Sequence, residues 1–386
     1  MSTKSLPGRL FQLSLLAGAL AAAVLPLASE AGATIPFGDG ESVSLGLAMR
    51  GSFASTTDAA PNGTDRSANF SLESVRLLLS ASLNPYISGT LNTERNGDGT
   101  TRVLEAFASF TLDPAFNIWA GRILPPSDRA NMDGPYYAAA FDYPGLVSNY
   151  YSIEAGRDDG VTAWGVVADK KLVYSAGVFQ GRNHSAGVAS NTSNQKANVL
   201  FAGRLAVNFL SPEPAPAYLE GSTYFGGAGN IFTVGLAGMS QSDGVGSTTA
   251  HSDYKVYNLD FLYELPIDGG SALDVSGAYY KYDYSVAAFA ADVSGGAGIV
   301  KPGKADLLEA EYLFGPKVGV GRFQPFARYQ KYDYDSGGSA KLSDIGVNYI
   351  IKGADAKLSA FYIHDDESNT GTPSSNTIKV AFQLQF

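Results

Sequence analysis

The side chains of this sequence that could do chemistry are charged residues set at every second position among apolar ones. Arg50 follows Val43, Leu45, Leu47 and Met49 on the opposite parity, and Arg76 stands between Val75 and Leu77 in the same way. The rule also places Arg204, Arg322, Arg328 and Lys379 on the polar face of their runs, with Glu94, Glu105, Asp260, Glu264, Asp274, Glu309 and Glu311 on the polar face of others. Charges that line a narrow aqueous path act on passing ions through Coulomb forces, strengthened where the path narrows. A basic wall facing an acidic loop would set a transverse field that sieves hydrated solutes without binding them tightly. The plainer reading of any one arginine is an internal salt bridge, and both stay open.

Nucleophilic catalysis needs a nucleophile, a base and an orienting group together. The three histidines, His184, His251 and His364, lie far apart in the chain among loop-type residues, and only His184 has a neighbouring hydroxyl, Ser185. The chain has no cysteine, which excludes disulfides and thiolate metal sites. No enzyme activity, metal or cofactor is expected.

Alternating runs must position these charges. In 102–112, Leu104, Ala106, Ala108, Phe110 and Leu112 form an apolar face with Glu105, Ser109 and Thr111 between them, the period of a strand. After a second such run ending at Arg122, alternation stops in Leu124-Pro125-Pro126-Ser127-Asp128-Arg129 and stays absent to residue 156. Connections of that length in a compact fold are usually functional. We expect this stretch to fold back into the mouth of a barrel, with Arg122, Asp128, Arg129, Asp133 and Asp142 at the constriction.

The whole chain reads as strands at 42–54, 70–82, 85–95, 102–112, 115–123, 157–168, 171–181, 196–209, 229–241, 254–265, 271–283, 304–315, 320–332, 341–351, 355–364 and 376–386, about sixteen in all. Short turns such as Asn84-Pro85, Asp113-Pro114 and Lys352-Gly353-Ala354 alternate with longer loops at 55–69, 96–101, 124–156, 182–195, 242–253, 284–303, 333–340 and 365–375. That alternation predicts an all-β fold, a transmembrane antiparallel up-and-down β-barrel with the long loop folded inward. One connection breaks the scheme: 210–228, opening Ser211-Pro212-Glu213-Pro214, is long where a tight turn is wanted. Tyrosines near strand ends (136, 137, 150, 151, 279–284, 329–334) fit interfacial girdles.

Lys4 and Arg9, an apolar run from Leu10 to Leu27, and Ala31-Gly32-Ala33 predict a secretory signal peptide over 1–33, leaving 34–386 as the barrel domain. The formal charge of −10 makes nucleic acid a poor partner. Outer-membrane lipid is the expected partner outside, and small hydrophilic solutes or ions inside. The last run ends on Phe386, similar to the C-terminal aromatic that outer-membrane barrels present for assembly.

Ser74-Val75-Arg76-Leu77-Leu78-Leu79-Ser80, then Glu94-Arg95, Glu105-Ala106-Phe107 and Asn117-Ile118-Trp119-Ala120-Gly121-Arg122 leading to Pro125-Pro126, resemble the phosphate-selective porin O and P family of outer-membrane porins. The resemblance covers roughly the first third of the chain in motif. It implies a sixteen-stranded barrel, a homotrimer, and lumen arginines and lysines that attract anions or phosphate. This sequence has few basic loop residues and is acidic overall, which sets it apart from that pattern. The expectation is a passive channel; the competing readings are a barrel sheathing an electron carrier or lipoprotein, a barrel enzyme, and an exported soluble sandwich.

Overall fold

In the structure, a computed structural model, residues 32–38, 40–182, 191–214, 216–221, 223–292, 298–366 and 373–386 are described. The predicted signal peptide lies outside them except for its last two residues, as does His184. Sixteen strands form the wall: β2 Ser42–Thr56, β3 Asn69–Asn84, β4 Ile87–Asn96, β5 Thr101–Asp113, β6 Phe116–Ile123, β7 Asp158–Val167, β8 Leu172–Phe179, β9 Leu200–Asn208, β10 Ile231–Gly246, β11 His251–Ile267, β12 Ser271–Tyr282, β13 Gly303–Leu313, β14 Arg322–Tyr334, β15 Ser339–Lys352, β16 Ala356–Asp366 and β17 Ser375–Gln385. Each pairs antiparallel with the next, and β17 closes on β2 from Thr377 opposite Thr56 to Gln385 opposite Ala48. Closure leaves the wall no free edge, the condition for a sheet that meets lipid.

A short strand, β1 Ala33–Pro36, pairs with β2 over Leu45 to Ser42. It takes up the edge of β2 beyond the point where Phe386 exchanges backbone hydrogen bonds with Leu47. Two short helices, α1 Arg129–Tyr137 and α2 Val286–Ala290, sit in loops where composition gave no helical period.

Parity sorts the two faces. Leu45, Leu77, Leu236, Leu259, Leu308 and Ile378 are exposed on the outside, while Ala48, Arg50, Arg76, Asn258 and Gln383 are buried within. Three expectations need correction. Leu104 is buried rather than outward, because β5 bulges there: Asn92 pairs with Glu105 and Thr93 with Val103, leaving Leu104 as the extra residue on the inner face beside Glu105. The predicted loop 242–253 shrinks to 247–250: β10 runs on through a bulge to Gly246, whose φ of +110° and close approach to the Ala250 carbonyl admit no side chain. The strand predicted from 196 begins at Leu200, since the Asn198 amide is taken by the Asn194 side chain.

The tyrosine girdle is also only partly a girdle. Tyr279 and Tyr329 face outward, but Tyr280, Tyr282 and Tyr332 are buried in the lumen, because successive residues of a strand point to opposite faces, and Tyr136 and Tyr150 are carried into it by the inserted loop. Tyr282 stacks on Tyr332 at 5.6 Å between ring centroids, and Tyr332 on Tyr334 at 4.8 Å.

A test of the lipid face follows from Leu259, outward and central in β11. Leu259→Arg is expected to cost about 2–4 kcal/mol in denaturant unfolding from phospholipid vesicles. A cost no greater than that of a polar exchange at inward Asn258 would place the apolar face elsewhere.

Candidate functional site

The lumen holds the long loop. Asp128 caps α1, accepting from the Ala130 amide at 3.1 Å, and also accepts from Ser148 Oγ at 2.9 Å and the Tyr280 hydroxyl at 2.8 Å. The helix breaks at Gly134, with φ 64° and ψ 177°, followed by Pro135, which lacks an N–H. The chain leaves this kink with its backbone polar groups turned to the wall.

Wall side chains take those groups one after another. Gln383 donates to the Tyr136 carbonyl at 2.7 Å, Lys357 to that of Ala138 at 2.7 Å, and Asn348 to that of Ala139 at 3.0 Å. Arg50 donates to the Phe141 carbonyl, Arg328 to that of Asp142 at 2.6 Å, and Glu309 accepts from the Ala140 amide at 3.1 Å. Arg50 also lies over the Phe141 ring at 3.9 Å.

The predicted charges meet mostly as ion pairs. Arg76 pairs with Glu94 at 2.9 Å, Arg204 with Asp260 at 2.5 Å, and Arg328 with Asp344 at 2.5 Å. Lys379 bridges Asp142 and Glu73, each at 2.7 Å, and Glu105 holds Arg157 at 2.9 Å. On the opposite side Glu264 faces Asp274, and Asp274 faces Glu311, across adjacent strands. Arg322 keeps the inward parity but sits at the short-turn rim, donating to the Gly270 carbonyl at 2.8 Å. Arg122 does not join the constriction: it stays on the outward parity and pairs with Asp159 at 2.8 Å.

Several members of this network were not singled out from sequence. Lys357 carries the inward parity of its strand and the same rule reaches it; Asn348 and Gln383 are neutral and carry no charge signal. Glu213, Tyr218 and Tyr224 belong to the anomalous connection between β9 and β10, residues 209–230. Its described residues, all but 215 and 222, also enter the lumen, from the short-turn end. The Tyr218 hydroxyl accepts from the Leu124 amide at 2.8 Å, Leu219 donates to the Met132 carbonyl at 3.3 Å, and Glu213 pairs with Arg129. The Tyr224 hydroxyl donates to Asp133 at 2.5 Å, while its carbonyl accepts from Gln324 at 2.8 Å.

No protein-family model and no curated protein matches the chain. Solved structures match its fold. An anion-selective porin from Comamonas acidovorans superposes with a TM-score of 0.58 at 14% identity, covering 90% of this chain and 100% of that one. OprB of Pseudomonas putida gives 0.62 at 9%, covering 89% and 94%, and the outer-membrane protein OmpT of Vibrio cholerae 0.56 at 13%, covering 92% and 100%. The chain has the sixteen-stranded architecture of porin-type barrels.

Asp133, where the two inserted segments meet, has its carboxyl pushed up to about 7, chiefly by burial and against the pull of Arg129 and the Tyr224 hydroxyl. A value raised above the ordinary ~3.9 means that the folded state holds the proton. The stabilisation from this group is full below that ordinary value and is lost as pH rises through about 7. Thermal unfolding in detergent between pH 5 and 8.5 is expected to show stability falling with pH, and Asp133→Asn to flatten the dependence; an unchanged slope in the variant would put the titration elsewhere.

Proposed function

We propose that the chain is a passive diffusion channel of the Gram-negative outer membrane, admitting small hydrophilic solutes or ions. One observation carries the reading: a closed barrel, apolar outside and charged inside, whose longest loop is bonded to the inner wall by its own backbone. A loop so placed narrows a bore, and it occupies the room that a sheathed partner would need. That favours a channel over a structural sleeve. Among the described residues, His251 sits against Asp243 at 2.9 Å and His364 against Asn376 at 2.8 Å, on separate strands.

In this reading residues 1–33 are a cleaved leader, 34–386 the membrane domain, the short-turn end periplasmic, and lipid the partner outside. We further propose a trimer, a state in which OmpT of Vibrio cholerae has been solved. Membership of the phosphate-selective porin family, with its preference for anions, stays a proposal resting on the motifs around Arg76 and Arg122. Arg50, Arg76, Arg204, Arg328 and Lys379 would supply the attraction, although each already holds an acid or a loop carbonyl.

Reconstitution in a planar bilayer under a salt gradient tests this. Stepwise ohmic currents are expected, and Gln at positions 50, 76 and 328 should move the reversal potential toward cations. Unchanged selectivity would remove these arginines from the permeation path. A folded protein that passes no current, either as wild type or with its bore trimmed, would sink the channel.

A further inference from the structure

The connection 209–230 has no counterpart among the other short-turn connections, and its placement asks for a role. Every one of the sixteen wall strands carries at least one inward side chain that is less than a tenth exposed, down to Gln324, Asn348 and Gln383 at 0%. A bore lined by standing water would leave such polar side chains wet. Two cavities beside the inserted segments measure about 20 Å³ each, room for about one water. The long loop and this connection therefore fill the section between them.

The two fillers are held differently. The middle of the long loop, Tyr136 to Asp142, is fastened by five wall side chains donating to its carbonyls. The connection rests on the first part of the loop, through Glu213, Tyr218, Leu219 and Tyr224, and meets the wall through the Tyr218 ring, edge-on to Trp119 of β6 at 4.8 Å, and through Tyr224 and the turn beyond it. Its neck is pinned, with Phe209 donating to the Phe232 carbonyl and Ser211 to the Asn230 carbonyl, both at 2.8 Å. Pro212, Pro214 and Pro216 cannot donate to a ladder, so the segment does not merge with the sheet. Its returning arm carries Gly226 and Gly229 at φ of 74° and 88°, backbone suited to a hinge.

We propose that residues 209–230 are a plug that closes the bore from the periplasmic end and withdraws as a unit, about its pinned neck, to let solute through. The inference rests on the channel reading and adds the element that opens it. Two variants test it in planar bilayers beside the wild type. The first replaces 213–228 by Gly-Gly; the second, Tyr218→Phe with Tyr224→Phe, removes only two tethering hydroxyls and keeps the fold.

The wild type is expected to open briefly or in small steps, the deletion to give steps severalfold larger and long-lived, and the tyrosine pair to raise the open fraction severalfold. A silent wild type beside a conducting deletion would likewise support the plug. Wild-type currents that both variants leave unchanged in size and open fraction would overturn the plug while leaving a channel. Silence from all three folded proteins would overturn both. Should the deletion fail to fold, the tyrosine pair decides alone.

Discussion

Irregular backbone inside a barrel is tolerated only when its N–H and C=O groups find partners, and here the wall supplies them. Between Tyr136 and Asp142 five carbonyls are met by Gln383, Lys357, Asn348, Arg50 and Arg328, and one amide by Glu309. Hydrogen bonds to charged groups contribute about 1.5–3 kcal/mol each. The dependence runs both ways. Lys357 is 1% exposed beneath the loop, and the acceptors of its buried amine are the Ala138 and Ala139 carbonyls that the loop itself brings. Wall and loop thus satisfy each other, and the rest of the lumen is arranged around that contact.

The donors are not spread evenly. Those that hold the loop's carbonyls lie on β14 to β17 and β2, the arc that spans the closure of the barrel. The carboxylates at 264, 274, 309 and 311 lie together on β11 to β13. The loop runs between the two, with Glu309 accepting from its Ala140 amide and Asp260 of β11 from its Arg129 amide. Above this level, the tyrosine stack on β11, β12 and β14 packs against Val147 and Tyr150 of the loop's return, and the Tyr282 hydroxyl donates to the Val147 carbonyl at 2.5 Å. Polar clamps fix one flank of the loop and rings fix the other.

Much of the barrel was legible in the sequence, because a period of two and a lipid solvent leave few alternatives. The parity of Arg50, Arg76, Arg204 and Arg328 could be read from neighbouring leucines, and the inward course of 124–156 from its length and its prolines. What escaped has physical causes. A bulge moves one residue and inverts the face of Leu104 without any mark in composition. Carbonyl acceptors have no sequence signature, so the clamp that gives Asn348 and Gln383 their purpose could not be seen. Tyrosines clustered near strand ends suggested an interface, whereas their alternate members serve the interior. The segment 209–230 showed only as a misfit in length.

The short strand β1 bears on how the cylinder is sealed. Because pairing along the closing edge stops where Phe386 meets Leu47, the first part of β2 would present bare amides and carbonyls there. Pairing of residues 34–36 there covers that edge against strand addition by a second molecule. That edge of β2 is therefore stitched by two strands in series, β17 and then β1.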